Sequence, residues 1–376
     1  MGEYMDKKKI TNMEVKKKNR NDVFRYICRN GTVSNPDISY ALKLSLPTAT
    51  QITKELIERG LVEEQGEMGS TGGRRAKALA VSKDAGKAVG LDITKNHVSF
   101  VLTDLTGSIL KYERVFLPYA AVDGYYQDVN ERLDGFLKDG GCGKENVLGI
   151  GIAFPGIIDL EKELVAGSHV LGVSAQPFSA VSRFFAYPCH FLNDANAGAY
   201  AEGVLAERME RFFYLSLSNT VGGAVYSYGN LEQGNNFRCG EAGHMTIVPN
   251  GKACYCGKYG CLDAYCSAKC LTEGKVEDFF DRLRQGEQEA SRLWEQYTSD
   301  LAIAVNNIHM ILDCDVVLGG YVGSCMGEFL LDIQKKVAQR NTFAEDSSYI
   351  RACRHKTGAA ALGASLKVTE LFMEQV

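Results

Sequence analysis

What this chain lacks narrows its class first. No apolar run reaches the roughly 20 residues that a membrane-spanning helix needs. The N-terminal stretch is polar and lysine-rich, without the apolar core of a secretory signal. Twelve cysteines with no such signal exclude a disulfide framework and predict a reducing, cytoplasmic setting. Proline is scarce, seven in 376 residues, so one that falls beside a helical pattern carries positional meaning. Acidic excess is missing from one end only. Residues 1–90 hold 17 of the 42 Lys+Arg but 11 of the 46 Asp+Glu. A basic head on an acidic body suggests that the head meets a polyanion and the body does not.

The head carries its own pattern. Val23, Phe24 and Ile27 recur at helical spacing between Asn19 and about Arg29, and Gly31 follows as a stop. Ser34-Asn35-Pro36-Asp37 is a helix start, with Ile38, Ala41 and Leu42 behind it. Ser45 opens a second start, with Pro47 early, leading into Thr48–Arg59 and the C-cap Gly60. Two helices joined by a tight turn form a helix-turn-helix. Its second helix is expected to expose Thr48, Thr50, Gln51, Thr53 and Lys54 to a major groove, where short polar side chains suit base edges. Leu61–Glu64 and Ala76–Val81 then predict a hairpin wing. Its glycine-rich tip carries Arg74 and Arg75, placed for a minor groove or for phosphates. Residues 1–81 are thus expected to form a winged helix-turn-helix DNA-binding domain.

His244, Cys254, Cys256 and Cys261 cluster in GEAGH and CYCGKYGC. These are ligand types for tetrahedral zinc, with Gly257 and Gly260 allowing the backbone to fold back. Four protein ligands leave no position for water, so the expected Zn2+ site is structural.

Several motifs together resemble the ROK family of repressors, open reading frames and sugar kinases. Glu-x-Gly-His at 241–244 with CxCGxxGC is similar to the family signature. Residues 150–159, GIAFPGIID after Ile150, resemble its GIxxPGxVD strand end. Asn193-Asp194-Ala195-Asn196 matches NDAN, and Val317-Leu318-Gly319-Gly320 its late LGG turn. Strands at 88–94, 98–104 and 109–117, a helix at 123–138 and a strand at 147–154 form one set. Strands at 212–218 and 224–228, a helix at 291–312, a strand at 316–318 and a helix from 358 to about 372 form another. Periodicity alone stops at duplicated α/β. The resemblance implies an actin-like, ribonuclease H-like two-lobe sugar-kinase fold over residues 88–376, with ligand in the cleft between lobes.

The resemblance also assigns residues. Asn193, Asp194, Glu241, His244 and Asp263 would contact a sugar or sugar phosphate, Asp194 standing where kinases keep their base. Asp263 stands where glutamate is common, Val170 where asparagine is frequent and Leu192 where glutamate is frequent. Phosphate-binding turns fare worse. Asp-x-Gly-Gly-Thr is replaced by Asp92-Ile93-Thr94-Lys95-Asn96, and Gly-Thr-Gly-x-Gly-Gly by Ser218-Asn219-Thr220-Val221-Gly222-Gly223. Glycines let backbone amides approach phosphates, so their loss argues against phosphoryl transfer. The expectation is a non-enzymatic, sugar-responsive transcriptional regulator, a homodimer or higher homo-oligomer on a near-palindromic DNA operator. Its rivals are a sugar kinase with a DNA-binding head and a DNA-binding regulator with an inert pocket.

Overall fold

The computed structural model describes residues 12–68, 76–206, 210–343, 346–356 and 358–376. In the head, α1 (Asn12–Asn30) precedes α2 (Asn35–Leu42) and α3 (Leu46–Glu58). Strands β1 (Val62–Glu67) and β2 (Lys77–Val81) pair antiparallel as the wing. Both inner helices begin at their predicted caps. Ser34 and Asp37 form a reciprocal capping box, and the Ser45 side chain accepts from the Thr48 amide. Such caps stabilise by about 1 kcal/mol each. Val23, Phe24, Ile27, Ile38, Ala49, Ile52 and Leu56 close a small core. The first helix begins seven residues earlier than Asn19, as a largely exposed extension.

The first lobe runs β3 (Lys87–Ile93), β4 (His97–Asp104), β5 (Ile109–Phe116), α4 (Asp123–Asp139) and β6 (Val147–Phe154). A small antiparallel meander follows, β7 (Ile157–Asp159), β8 (Leu164–Ser168) and β9 (Val173–Pro177). The short α5 (Ser179–Ser182), β10 (Cys189–Asn193) and α6 (Asp194–Val204) complete it. Its main sheet has the order β10-β6-β3-β4-β5. The second lobe runs β11 (Arg211–Leu217), β12 (Val221–Ser227), β13 (Asn230–Leu231), α7 (Asp263–Cys266), α8 (Val276–Arg284) and α9 (Gln288–Leu312). Then come β14 (Asp315–Gly319), α10 (Gly320–Gly323), α11 (Leu330–Ala338), β15 (Ile350–Ala352) and α12 (Ala359–Met373). Its sheet order is β13-β12-β11-β14-β15. Two sheets of matching plan in one chain confirm the duplicated α/β reading. Strand β12 begins three residues before the expected Ala224, because Val221–Gly223 already ladder with Leu215–Leu217.

The two central helices hold the lobes together. Helix α6 packs on β11 and β12, whereas α12 packs on α6, β3 and β6. That approach is close enough to require glycine beneath it. A Cβ on Gly90 would strike the Ala361 carbonyl, and one on Gly151 the Ala364 carbonyl. Helix α12 is 15 residues long, so it spans about 22 Å. Its far end leaves the lobes and meets the head. Met373 and Val376 enter the same apolar cluster as Val23, Phe24 and Ile27. Arg25 grips both carboxylate oxygens of Glu370 at 2.6 and 2.5 Å. Arg20 and Arg59 donate to the Val376 main-chain oxygen at 2.5 and 2.9 Å.

Candidate functional site

A cavity of about 610 Å³ opens between the lobes, a volume suited to a small ligand. Asp92 in β3, Thr94 just after it, Pro155 after β6, His169 and Val170 between β8 and β9, and Asp194 of α6 line one side. Ser218–Thr220, Lys269, Tyr321 and Tyr255 contribute from the second lobe, and Gly358–Ala360 at the start of α12 form part of the wall. The ligand cleft and the helix that meets the head are therefore one piece of structure.

Two carboxyls dominate its electrostatics. Burial raises Asp92 to about 7, helped by the Asp194 charge and opposed by Arg114. Burial likewise raises Asp194 to about 6, against a backbone hydrogen bond from Ala195 and with the Glu241 charge adding to the rise. The Oδ1 atom of Asp92 is buried without a hydrogen-bond partner. An acceptor so placed can take a hydrogen bond from a donor that enters the cleft.

In both phosphate-type turns a hydroxyl side chain is engaged with the protein's own backbone. The Thr94 hydroxyl donates to the His97 carbonyl at 2.9 Å and accepts the His97 amide at 3.1 Å. Ser218 Oγ accepts the Tyr321 amide at 3.2 Å. Arg114 of β5 crosses between lobes to donate to the Tyr321 hydroxyl at 3.1 Å, with its guanidinium 5.1 Å from that ring's centre. Tyr321 thus fills space beside Asp92, and its phenol is raised to about 12, first by burial and then by Asp92.

Of the five residues expected at a sugar, Asp194 is the one placed in the cavity wall. The Asn193 amide donates to the Gly156 carbonyl at 2.9 Å, and its carbonyl oxygen accepts the Asn196 amide at 3.0 Å as the α6 cap. The buried Asp263 accepts the Val221 amide at 2.6 Å. Glu241 lies exposed at the start of the turn that carries His244. His244 stands beside Tyr255, whose hydroxyl is 3.4 Å from His244 Nε2. Motif matching missed Tyr255, Tyr321 and Arg114, because their roles arise from contacts between segments far apart in the chain.

The metal-type cluster is assembled as expected. One ligand atom from each of His244, Cys254, Cys256 and Cys261 lies within 4.8 Å of all the others. Cys256 and Cys261 sulfurs are 3.8 Å apart, and Cys254 Sγ is 3.9 Å from His244 Nδ1. Zinc bond lengths imply ligand–ligand edges of about 3.5–3.8 Å in a tetrahedron, so the donor set fits that ion. Gly260 makes the return possible. It adopts φ 81°, and a Cβ there would collide with the Val248 carbonyl.

On the head, Thr50, Gln51 and Lys54 are exposed along α3, and Thr48 is half-buried at its first turn. Thr53 departs from expectation. It is 2% exposed and donates to Asn35 Oδ1 at 2.9 Å, pinning α3 to α2. A position on the flank of a helix becomes interior when a neighbouring helix covers it. Arg74 and Arg75 lie outside the described residues. Among the described residues no helix is long and apolar enough to cross a membrane.

Residues 88–370 match the ROK family model, and residues 17–63 match a winged helix-turn-helix DNA-binding model. The chain is 31% identical over 259 residues to the xylose repressor of Bacillus subtilis (strain 168), covering 68% of this chain and 67% of that protein. It is 28% identical over 352 residues to a xylose repressor of Caldicellulosiruptor bescii, covering 85% and 87%. In fold it is similar to a ROK family transcriptional regulator homologous to the Escherichia coli MLC protein. That likeness has a TM-score of 0.76 at 20% identity, over 96% of this chain and 98% of the other. The chain belongs to the ROK family.

Proposed function

We propose, from membership of the ROK family, that this chain is a sugar-responsive transcriptional repressor of carbohydrate genes and not a kinase. The observation that carries the proposal is α12. Its first residues line the cleft and its last turns hold the DNA-binding head. A ligand that prefers one lobe arrangement shifts the population of that arrangement by its differential affinity. Movement of α12 then reaches α1 directly. The relatives named as xylose repressors support a pentose or hexose as the effector.

Asp194 is the direct polar contact in this reading, with Asn193 and Asp263 holding the turns that shape the site and Glu241 at its rim. Zinc held by His244, Cys254, Cys256 and Cys261 would fasten the second lobe's wall. Thr50, Gln51 and Lys54, with Thr48 at the helix start and Arg74 and Arg75 on the wing, would meet DNA, whereas Thr53 serves packing. The protein would act in the cytoplasm as a homodimer. Hydroxyl side chains at Thr94 and Ser218, engaged with backbone in place of glycine in the phosphate-type turns, support the absence of ATP chemistry.

The deciding experiment titrates the protein onto its upstream DNA with and without D-xylose, D-glucose and N-acetylglucosamine. One of these sugars should bind and lower operator affinity. Operator binding indifferent to every sugar would leave a regulator with an inert pocket. Phosphate transfer from ATP to a sugar, abolished by Asp194→Asn, would make it a kinase instead.

A further inference from the structure

We propose that Glu202 is the positioning residue that ties the cleft to α12, holding the root of that helix against the face of α6 that lines the cavity. This rests on the sugar-responsive reading above and adds a residue through which the sugar would act. Asp194, Gly198 and Glu202 are spaced four apart, so they share one face of α6 over about 12 Å. Asp194 and Gly198 stand in the cavity wall. Tyr214 of β11, also in the wall, packs directly on Gly198, where a Cβ would lie 2.9 Å from its ring. Glu202 continues the same stripe away from the cavity and is wholly buried. Its Oε1 atom accepts the Arg354 amide at 2.8 Å and the His355 amide at 2.9 Å.

The amides so held belong to the segment that carries the chain from β15 into α12. It starts on the second lobe's sheet, where the Cys353 amide donates to the Leu318 carbonyl at 3.0 Å. It ends at the cavity, with Lys356 and Gly358 in the wall. Arg354 adds a contact of its own, donating to the Leu205 carbonyl just past α6 at 3.5 Å. Farther along, α12 meets α6 backbone to backbone, because a Cβ on Gly363 would strike the Ala197 carbonyl. Close packing thus joins the two helices in their middle, and a single carboxyl group joins them at the root of α12. Glu202 Oε2 is buried with no hydrogen-bond partner among the described residues. A half-satisfied glutamate out of water is poorly suited to packing alone. Its use is directional. A shift of α6 driven by a guest at Asp194 passes to the amides of Arg354 and His355, and from there along α12 to the head.

Glu202→Gln and Glu202→Ala test the assignment in the full-length protein, with D-xylose, D-glucose and N-acetylglucosamine as probes. Calorimetry reads sugar affinity, and DNA titrations with and without sugar read the coupling. Glu202→Gln keeps an acceptor for both amides, so the sugar's effect on operator affinity should stay within about twofold of the wild type. Glu202→Ala leaves the amides unmet and should cut that effect by about fivefold or more, the scale of one lost hydrogen bond. Its sugar affinity and sugar-free operator affinity should each stay within about threefold of the wild type. In the wild type, the amides of Arg354 and His355 should exchange slowly with deuterium both with and without sugar, a measurement that needs no variant to fold. Rapid exchange of either amide, or wild-type coupling in a folded Glu202→Ala, would overturn the role of Glu202 and leave the sugar reading intact. Operator affinity that no probe alters in the wild type would overturn the sugar reading and this assignment with it.

Discussion

Single residues decide whether this cleft is an active site or a sensor. Thr94 and Ser218 engage their hydroxyls with backbone groups of His97 and Tyr321, in turns where glycine would leave amides free to approach a phosphate. Asp92 shows the energetic consequence of burying a carboxyl beside a second one in this cleft. Its folded value is raised from 3.8 to about 7 by burial and by Asp194. The folded state therefore holds a proton that the unfolded chain has released, so the stability present below about pH 4 is lost as pH rises through about 7. Asp92→Asn cannot ionise and should lose less stability than the wild type between pH 5 and pH 8. The difference should be about 1–3 kcal/mol, below the full shift because Asp92 keeps some water contact. Thermal unfolding across that range measures it, and parallel curves for the two proteins would refute the assignment.

At the scale of elements, the knuckle and α12 do different work. The knuckle is a tight hairpin, with Ala253 bridged to Tyr259 and Thr246 to Cys261. It has little apolar interior of its own, so metal should supply much of its order. One zinc per chain is expected in purified protein, and Cys256→Ser should lower both metal content and thermal stability. Elemental analysis returning no zinc from an intact, folded preparation would contradict this. Helix α12 is by contrast apolar for most of its length and buried from Ala361 to Leu366. Its link to the head combines apolar contacts of Met373 and Val376 with charge at Glu370, which is part-buried against Arg25. Glu370→Ala should leave sugar affinity within about twofold while cutting the sugar's effect on operator affinity. A lost charge-assisted hydrogen bond is worth about 1.5–3 kcal/mol. Full coupling in that variant, read from DNA titrations with and without sugar, would place the communication elsewhere.

For the whole molecule, charge is divided by function. The head carries the basic excess and the body the acidic one, so the head approaches DNA and the body is repelled from it. One helix-turn-helix reads a single half-site, and two related by a dyad read a near-palindrome. Two heads are therefore expected on one operator. Footprinting should protect two half-sites about one helical turn apart or a multiple of it, and sedimentation should give at least a dimer. A single protected half-site with a monomer in solution would break the model. Moving α12 in each protomer would change the spacing of the two heads, which converts a local ligand event into loss of DNA fit.

The sequence by itself determined the features that depend on near neighbours. Ser34 and Ser45 announce their helices because a cap acts within three residues. The Cys-x-Cys-Gly knuckle and seven of the ten strands of the two five-stranded sheets were legible for the same reason, whereas the edge strands β10, β13 and β15 were not. Tertiary structure alone decided which side chains face one another across hundreds of residues. Thr53 is interior because α2 covers it, and Asp263 is taken by the Val221 amide. The Tyr255 hydroxyl comes to stand beside His244, and Arg25 meets Glu370 345 positions away. Backbone periodicity fixes a residue's direction relative to its own helix or strand, but the neighbour in that direction is supplied by packing.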